Sequence, residues 1–227
     1  MQYKDDFIRF MVRSGVLLFG DFTTKSGRKT PYFINTGNYR TGAQIAELGG
    51  YYAACIRENM ENGGIAKGEL TLFGPAYKGI PLAVSAAIAL SQGGTPVQYC
   101  FNRKEAKDHG EGGEMIGCRL KDGDQVLITE DVVTAGTAVR ECLPLLKKAA
   151  AVLVEGLIIS VDRMERGAGD RTAIQELLED YGIRTFPIVT VRDIIECLHG
   201  KAVDGKVYID DAARAGMEAY MAEHCAG

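Results

Sequence analysis

Residues 126–138 read VLITEDVVTAGTA. The apolar, β-branched start of this stretch is typical of a buried strand, which ends at Glu130 and Asp131. A loop of small residues at 134–137 then opens a helix near Ala138. Backbone N–H groups in such a turn can converge on a phosphate, and the helix adds its positive N-terminal end. The stretch therefore predicts an α/β protein with an anion site at the end of a strand.

Glu130 and Asp131 place a second requirement on the ligand. Two acids would repel a simple anion, so they fit a ligand with a phosphate at one end and a diol or a metal at the other. Ribose 5-phosphate is such a ligand. Alone, the two acids could equally be a solvated strand terminus, but the small-residue loop that follows them favours the ligand site.

The bulk properties narrow the class of protein. The chain has 227 residues, of which 46% are hydrophobic and 25% charged, which suits one sizeable domain. The net charge of −4 argues against a general nucleic-acid binder. Six cysteines without a C-x-x-C pair predict free thiols in a reducing compartment. With no signal-like N-terminus and no apolar run of membrane length, we expect a cytoplasmic protein without membrane or nucleic-acid partners.

Strand-like and helical segments alternate along the chain. A first helix is expected at 3–14, closed by Gly15 and with Leu17 counted among its apolar residues, followed by two short strands within 22–35. Beyond residue 70, apolar strands with little alternation are separated by helical lengths, which predicts a central, mostly parallel sheet flanked by helices. The predicted strands are 70–74, 97–101, 126–129, 152–161 and 183–189, and the predicted helices are 42–60, 80–91, 138–149, 172–181, 192–198 and 212–223.

The 126–138 stretch resembles the signature with which type I phosphoribosyltransferases hold phosphoribosyl pyrophosphate (PRPP). Four more segments, in the same order, narrow the resemblance to the orotate phosphoribosyltransferase family: 22–33 (FTTKSGRKTPYF), 73–81 (FGPAYKGIP), 102–113 (NRKEAKDHGEGG) and Asp162-Arg163. The resemblance implies the type I phosphoribosyltransferase fold as one domain, 1–227, with a small N-terminal hood at about 1–40, a core at about 65–190 and a mobile catalytic loop at 102–117.

The resemblance also implies roles for individual residues in PRPP binding. Lys107, His109 and Asp131 are the expected catalytic residues. A glycine-rich, basic loop could be a solvated hairpin, but its cations would gain order by meeting a polyanion. The expected PRPP-binding residues are Lys25, Tyr77, Lys78, Arg103, Lys104, Lys107, His109, Glu130, Asp131, Val132, Val133, Thr134, Ala135, Gly136, Thr137 and Ala138.

For the base, the resemblance implies contacts from Lys25, Phe33, Ile34, Thr134 and Arg163. Each residue alone could be surface charge or core packing. A guanidinium captures a carboxylate in bidentate fashion, so Arg163 is the expected partner of the orotate carboxylate. The family often has aspartate where Glu130 stands, and bacterial members have a second phenylalanine where Ile34 stands.

The implied reaction is phosphoribosyl transfer from PRPP to orotate, giving orotidine 5′-phosphate and pyrophosphate in de novo UMP (pyrimidine) biosynthesis. Mg²⁺ is the implied cofactor. It is expected to be held mainly by PRPP, with Glu130 and Asp131 acting through water, so no direct protein ligand is assigned. A homodimer is implied, in which the catalytic loop closes over the neighbouring subunit's site. A phosphoribosyltransferase for another base, such as a purine, and a PRPP-sensing regulator on the same scaffold remain alternatives.

Overall fold

The N-terminal part of the chain forms a helix and a hairpin. The computed structural model describes residues 2–24, 27–104, 114–167 and 169–226. Helix α1 (Gln2–Arg13) is followed by strands β1 (Leu17–Thr23) and β2 (Lys29–Ile34), which pair antiparallel. The predicted end of this helix at Gly15 is confirmed, but the counting of Leu17 among its apolar residues was wrong. Gly15, at φ 63°, turns the chain out of the helix, and Leu17 begins β1 opposite Ile34.

A six-stranded sheet occupies the centre of the fold. It has the order β5-β4-β3-β6-β7-β8, and all pairings are parallel except that of the short edge strand β5 with β4. The predicted α/β class with a mostly parallel sheet is therefore confirmed. The strands are β3 (Leu70–Gly74), β4 (Val97–Asn102), β5 (Met115–Gly117), β6 (Gln125–Thr129), β7 (Leu153–Asp162) and β8 (Thr185–Thr190).

Helices flank this sheet, and all of the predicted ones are present to within a few residues. A small hairpin, β9 (Ala202–Val203) with β10 (Lys206–Val207), was not expected, because strands of two residues leave no periodic pattern. The helices after α1 are α2 (Gly42–Glu61), α3 (Gly79–Gln92), α4 (Thr137–Ala149), α5 (Ala173–Tyr181), α6 (Val191–Leu198) and α7 (Asp211–His224).

Both faces of the sheet are buried, which explains its unbroken apolar strands. On β6, Leu127 packs into the core that includes α1, α2 and α3, whereas Val126 and Ile128 pack into a second core with α4 and α5. Since alternate side chains point to opposite faces, a strand covered on both sides must be apolar throughout.

The direction of the sheet's winding reverses between β3 and β6. The chain passes from β3 through α3 to β4 on one side, and from β6 through α4 to β7 on the other. At such a switch point the loops after the two strands diverge and leave a crevice, the usual ligand position in open α/β sheets. The loops beginning at Pro75 and Glu130 border this crevice.

The six cysteines are free, as predicted, and five of them are buried. Within the described ranges, no helix combines the length and the apolar character needed to cross a membrane.

Candidate functional site

Hydrogen bonds from two neighbouring elements fix the backbone of Glu130 and Asp131 at the carboxyl end of β6. The Tyr52 hydroxyl donates to the Glu130 carbonyl at 2.6 Å. The Asp131 carbonyl accepts from both the backbone N–H and the hydroxyl of Ser160, at 2.9 and 2.6 Å. These bonds come from α2 and β7, so the neighbouring elements set the position from which each acid projects.

The Asp131 carboxylate lies among three donors. Its Oδ2 accepts from Lys78 Nζ at 2.8 Å and from Thr36 Oγ1 at 2.5 Å, and its Oδ1 accepts from the Val132 N–H at 2.8 Å. The Asp131 side chain is 13% exposed, whereas that of Lys78 is 69% exposed. Charge-assisted bonds of this kind orient the carboxylate, while the lysine keeps most of its surface accessible to a ligand.

Two glycines allow the turn that carries Lys78 to approach β6. A Cβ at Gly74 would lie 2.3 Å from the Gly79 carbonyl oxygen, and a Cβ at Gly79 would lie 2.7 Å from the Thr129 carbonyl oxygen. Either distance is below any real contact, so a side chain at Gly74 would push the end of β3 away from the start of α3, and one at Gly79 would push the turn away from β6. The Lys78–Asp131 pair therefore depends on this close backbone packing.

The Glu130 carboxyl is largely buried beside the charge of Asp131. Burial, followed by the charge of Asp131, raises the pKa of the Glu130 carboxyl to about 7. The Asp131 N–H donates to Glu130 Oε2 at 3.3 Å, and this hydrogen bond lowers the pKa because it favours the charged carboxylate. Near neutral pH a substantial fraction of Glu130 is therefore protonated, and the adjacent acids do not carry two full negative charges.

The loop after the acids is open to a ligand. Thr134, Ala135 and Thr137 are exposed, and Gly136 adopts a left-handed conformation at φ 67° immediately before α4. Among the described residues, no side chain caps the N-terminus of α4. Its first N–H groups and the helix dipole are thus available to an anion, as the sequence predicted for this turn.

A cavity of about 830 Å³ brings the predicted base and PRPP residues together. The base residues Phe33, Ile34, Thr134 and Arg163 line it, and so do Lys78 and Asp131. Phe33 stacks on Phe22 with ring centroids 5.6 Å apart, which places it on the hairpin of β1 and β2. This cavity is also lined by Val132, Val133 and Ala135, which are predicted from the sequence to bind PRPP.

Arg163 is buried and already has protein partners. Its guanidinium lies 4.8 Å from the centroid of the Tyr32 ring, and the residue is 8% exposed. Nε and Nη2 donate to Glu165 Oε1 at 2.9 and 2.5 Å. The predicted carboxylate-binding arginine is therefore held inside the protein.

A second cavity, of about 330 Å³, is lined by Arg103, Lys104 and Ala138. Lys104 Nζ lies 5.4 Å from the centroid of the Tyr77 ring, and Tyr77 is 68% exposed. These predicted PRPP residues are thus grouped apart from Lys78. Glu130, Gly136 and Thr137 border neither cavity, and Lys25, Lys107 and His109 lie outside the described residues.

Glu130 and Asp131 are suited to a magnesium ion whose ligands come mainly from the substrate. Within the described residues, no group of three or more His, Cys, Asp or Glu side chains is arranged to hold a metal. Mg²⁺ commonly keeps several waters and binds through one or two carboxylates together with substrate phosphates. Glu130 and Asp131 supply such carboxylates beside an open phosphate turn.

Comparison with known proteins agrees with this geometry. The family model of the phosphoribosyl transferase domain matches residues 36–190. The orotate phosphoribosyltransferase of Clostridium beijerinckii is 52% identical over 98% of this chain and 97% of its own length. The chain belongs to the orotate phosphoribosyltransferase family. The enzyme of Clostridium acetobutylicum is 53% identical, over 98% of both chains.

Solved orotate phosphoribosyltransferases share the fold. The crystal structure from Francisella tularensis has a TM-score of 0.80 and 32% identity, over 97% of this chain and 100% of that one. The Mycobacterium tuberculosis enzyme in complex with PRPP is 16% identical with a TM-score of 0.56, over 86% of this chain and 92% of that one, and indicates the fold alone.

Sequence reasoning for this orotate phosphoribosyltransferase family member missed two polar residues at the cavity. Thr36 contacts both Asp131 and Lys78, and Glu165 holds Arg163. Thr36 directly follows the 22–35 hairpin and Glu165 comes two residues after Arg163. Proximity to these motifs was the only available signal, and it does not distinguish a site residue from a solvated one.

Proposed function

We propose that the chain transfers the phosphoribosyl group of PRPP to orotate, giving orotidine 5′-phosphate and pyrophosphate in pyrimidine nucleotide biosynthesis. The proposal is supported by relatives of about 50% identity over nearly the full chain, each named orotate phosphoribosyltransferase. The observation that carries it is the single cavity in which Arg163, a cation suited to a carboxylate, shares walls with the Lys78–Asp131 pair and the phosphate turn.

On the PRPP side, residues 134–137 and the N-terminus of α4 bind the 5-phosphate, and Glu130 and Asp131 bind the ribose hydroxyls. Lys78 takes the pyrophosphate. Because Lys78 Nζ and Asp131 Oδ2 are 2.8 Å apart, the pyrophosphate and ribose groups of one ligand are bound at adjacent points. That adjacency suits a molecule in which both groups are joined at the anomeric carbon.

The reaction is a displacement at that carbon. Orotate N1 attacks as pyrophosphate departs, so positive charge develops on the ribose and negative charge on the leaving group. Lys78 stabilises the leaving group together with Arg103, Lys104, Lys107 and His109 of the neighbouring subunit's loop, and Asp131 fixes the ribose. Mg²⁺, when bound with PRPP, neutralises part of the pyrophosphate charge.

A single domain and a cytoplasmic homodimer belong to the same proposal. The core that joins α1 and α7 to the sheet supports one domain over residues 1–227. Tyr77, just before α3, and Ile88, within α3, are 68% and 54% exposed, and a subunit interface that covers them would bury two large apolar side chains. The loop at 102–117 would then close over the neighbouring subunit's cavity.

Orotate consumption by the purified protein with PRPP and Mg²⁺ tests the function directly. Arg163→Ala should raise KM for orotate roughly ten- to a hundredfold, because a charge-assisted contact contributes about 1.5–3 kcal/mol. Arg214→Ala is the matched control, since it removes an arginine whose contacts are with Glu218 and His199 rather than with the cavity. Uracil, which lacks the carboxylate, should be affected much less by Arg163→Ala.

Equal losses for orotate and uracil in Arg163→Ala would contradict the assignment of the carboxylate to Arg163. Turnover of a purine in place of orotate would favour the alternative base. PRPP binding without turnover of any base would favour a regulator.

A further inference from the structure

Glu165 joins the C-terminal helix to the proposed base site. Its Oε1 accepts from Arg163 Nε and Nη2, at 2.9 and 2.5 Å, and from the Tyr220 hydroxyl at 2.7 Å. Its Oε2 lies 3.7 Å from Arg28 Nη1. We propose that Glu165, itself held by Tyr220, is a positioning residue that presents the Arg163 guanidinium to a carboxylated base. This inference rests on the proposed function.

The hydrogen bonds of Arg163 leave one edge of its guanidinium for a ligand. A guanidinium has five N–H donors arranged in two forks. Glu165 occupies the Nε/Nη2 fork, and the ring of Tyr32 lies under the group at 4.8 Å. In the described part of the chain, Nη1 has no recorded acceptor. The Nη1/Nη2 fork is therefore the one that can receive a substrate carboxylate in bidentate fashion.

Charge balance favours the same assignment. Arg28, Arg163 and Glu165 together carry one net positive charge, which matches one substrate carboxylate. Arg163 and Glu165 have side chains only 10% and 20% exposed. Such a buried arginine is costly without a counter-charge, so Glu165 stabilises it while leaving a fork free. Glu165 thus keeps the arginine in place whether or not the base is bound.

The backbone around Arg163 is also held by the end of α7. The Ala226 N–H donates to the Met164 carbonyl at 3.0 Å, and the Arg166 N–H donates to the His224 carbonyl at 2.9 Å. Met164 has a φ of 58°, the left-handed region that a side chain rarely adopts. Contacts from the C-terminal segment therefore support a turn that would be unfavourable alone, and this turn carries both Arg163 and Glu165.

The experiment compares Glu165→Gln and Tyr220→Phe with Glu218→Gln. The first removes the negative charge while keeping side-chain size, and the second removes only the hydroxyl that donates to Glu165. Glu218→Gln removes a carboxylate paired with Arg214 on the exposed side of α7. Steady-state constants for orotate and PRPP, and the melting temperature, are measured for each protein.

A positioning role predicts a specific pattern of constants. Glu165→Gln should raise KM for orotate about five- to tenfold and Tyr220→Phe about two- to threefold, with kcat and KM for PRPP within about twofold of wild type. Glu218→Gln should match wild type. A purely structural role would instead lower the melting temperature and change both substrates' constants together.

A double variant gives the sharpest test. In an Arg163→Ala background, Glu165 has no Arg163 guanidinium to position, and its carboxylate, left with the 3.7 Å contact to Arg28 as its ion pair, lies beside a negatively charged base. Adding Glu165→Gln there should leave KM for orotate unchanged or lower it, the reverse of its effect in wild type. Additive losses, or an unchanged orotate KM in Glu165→Gln alone, would overturn the inference while the proposed function stands. If wild type and Glu218→Gln both fail to consume orotate, the proposed function fails and the role of Glu165 fails with it.

Discussion

Replacement of Glu130 by glutamine should stabilise the ligand-free protein at alkaline pH and change little at acidic pH. The pKa of this carboxyl rises from its usual 4.5 to about 7 because of burial and the adjacent Asp131. The folded state therefore binds the proton more tightly than the unfolded state does. This stabilising contribution is fully present below pH 4.5 and is lost as the pH rises through about 7.

The magnitude follows from the difference between the two pKa values. At about 1.36 kcal/mol per unit of pKa difference, the shift corresponds to a change of about 3 kcal/mol in the free energy of unfolding between low and high pH. Partial access of solvent to Glu130 screens this, so about 1–3 kcal/mol is expected. For a chain of this size, such a difference raises the melting temperature by about 2–12 °C. Glutamine is uncharged at every pH and avoids the cost of a buried ion.

Thermal unfolding between pH 5 and pH 9, without Mg²⁺ or PRPP, measures this effect. Glu130→Gln should exceed wild type in melting temperature at pH 8.5 and approach it at pH 5. Glu141→Gln, at an exposed position on α4, is the control and should show no such trend. A gain for Glu130→Gln that is the same at both pH values, or larger at pH 5, would refute the reasoning.

Two further predictions concern the catalytic loop and the dimer. Lys107→Ala should lower kcat by about 10²–10³ with little change in PRPP binding, because it removes a donor to the leaving group, and single-turnover kinetics with PRPP titration measures both effects. Normal turnover would exclude this role. Lys107→Ala and Asp131→Asn chains, mixed after partial unfolding and reassembly, should together exceed the activity of either parent, because one site of each heterodimer is intact. Heterodimers verified by mass spectrometry but lacking that recovery would exclude a loop shared between subunits.

The sequence alone determined the fold class and the local features on which the proposed PRPP site depends. Its strands are apolar because both faces of the sheet are covered, and this is visible in the composition of each strand. The order of β6, Glu130-Asp131, the small-residue turn and α4 is local along the chain. The start of α4 beside two acids, without a capping side chain, could therefore be predicted from neighbouring residues. The start of β1 at Leu17 could not, because the first residues of this strand continue the apolar pattern of the helix before Gly15.

Only the tertiary structure decided which side chains hold one another. Asp131 meets Thr36 and Lys78 across separations of 95 and 53 residues, and Glu165 meets Tyr220 across 55. These contacts depend on the strand order, which makes β3 and β6 neighbours, and on α7 returning to the hairpin of β1 and β2. The raised pKa of Glu130 likewise arises from burial beneath elements distant in the chain. No local pattern encodes such contacts, because their free energy exists only once the sheet and helices have packed.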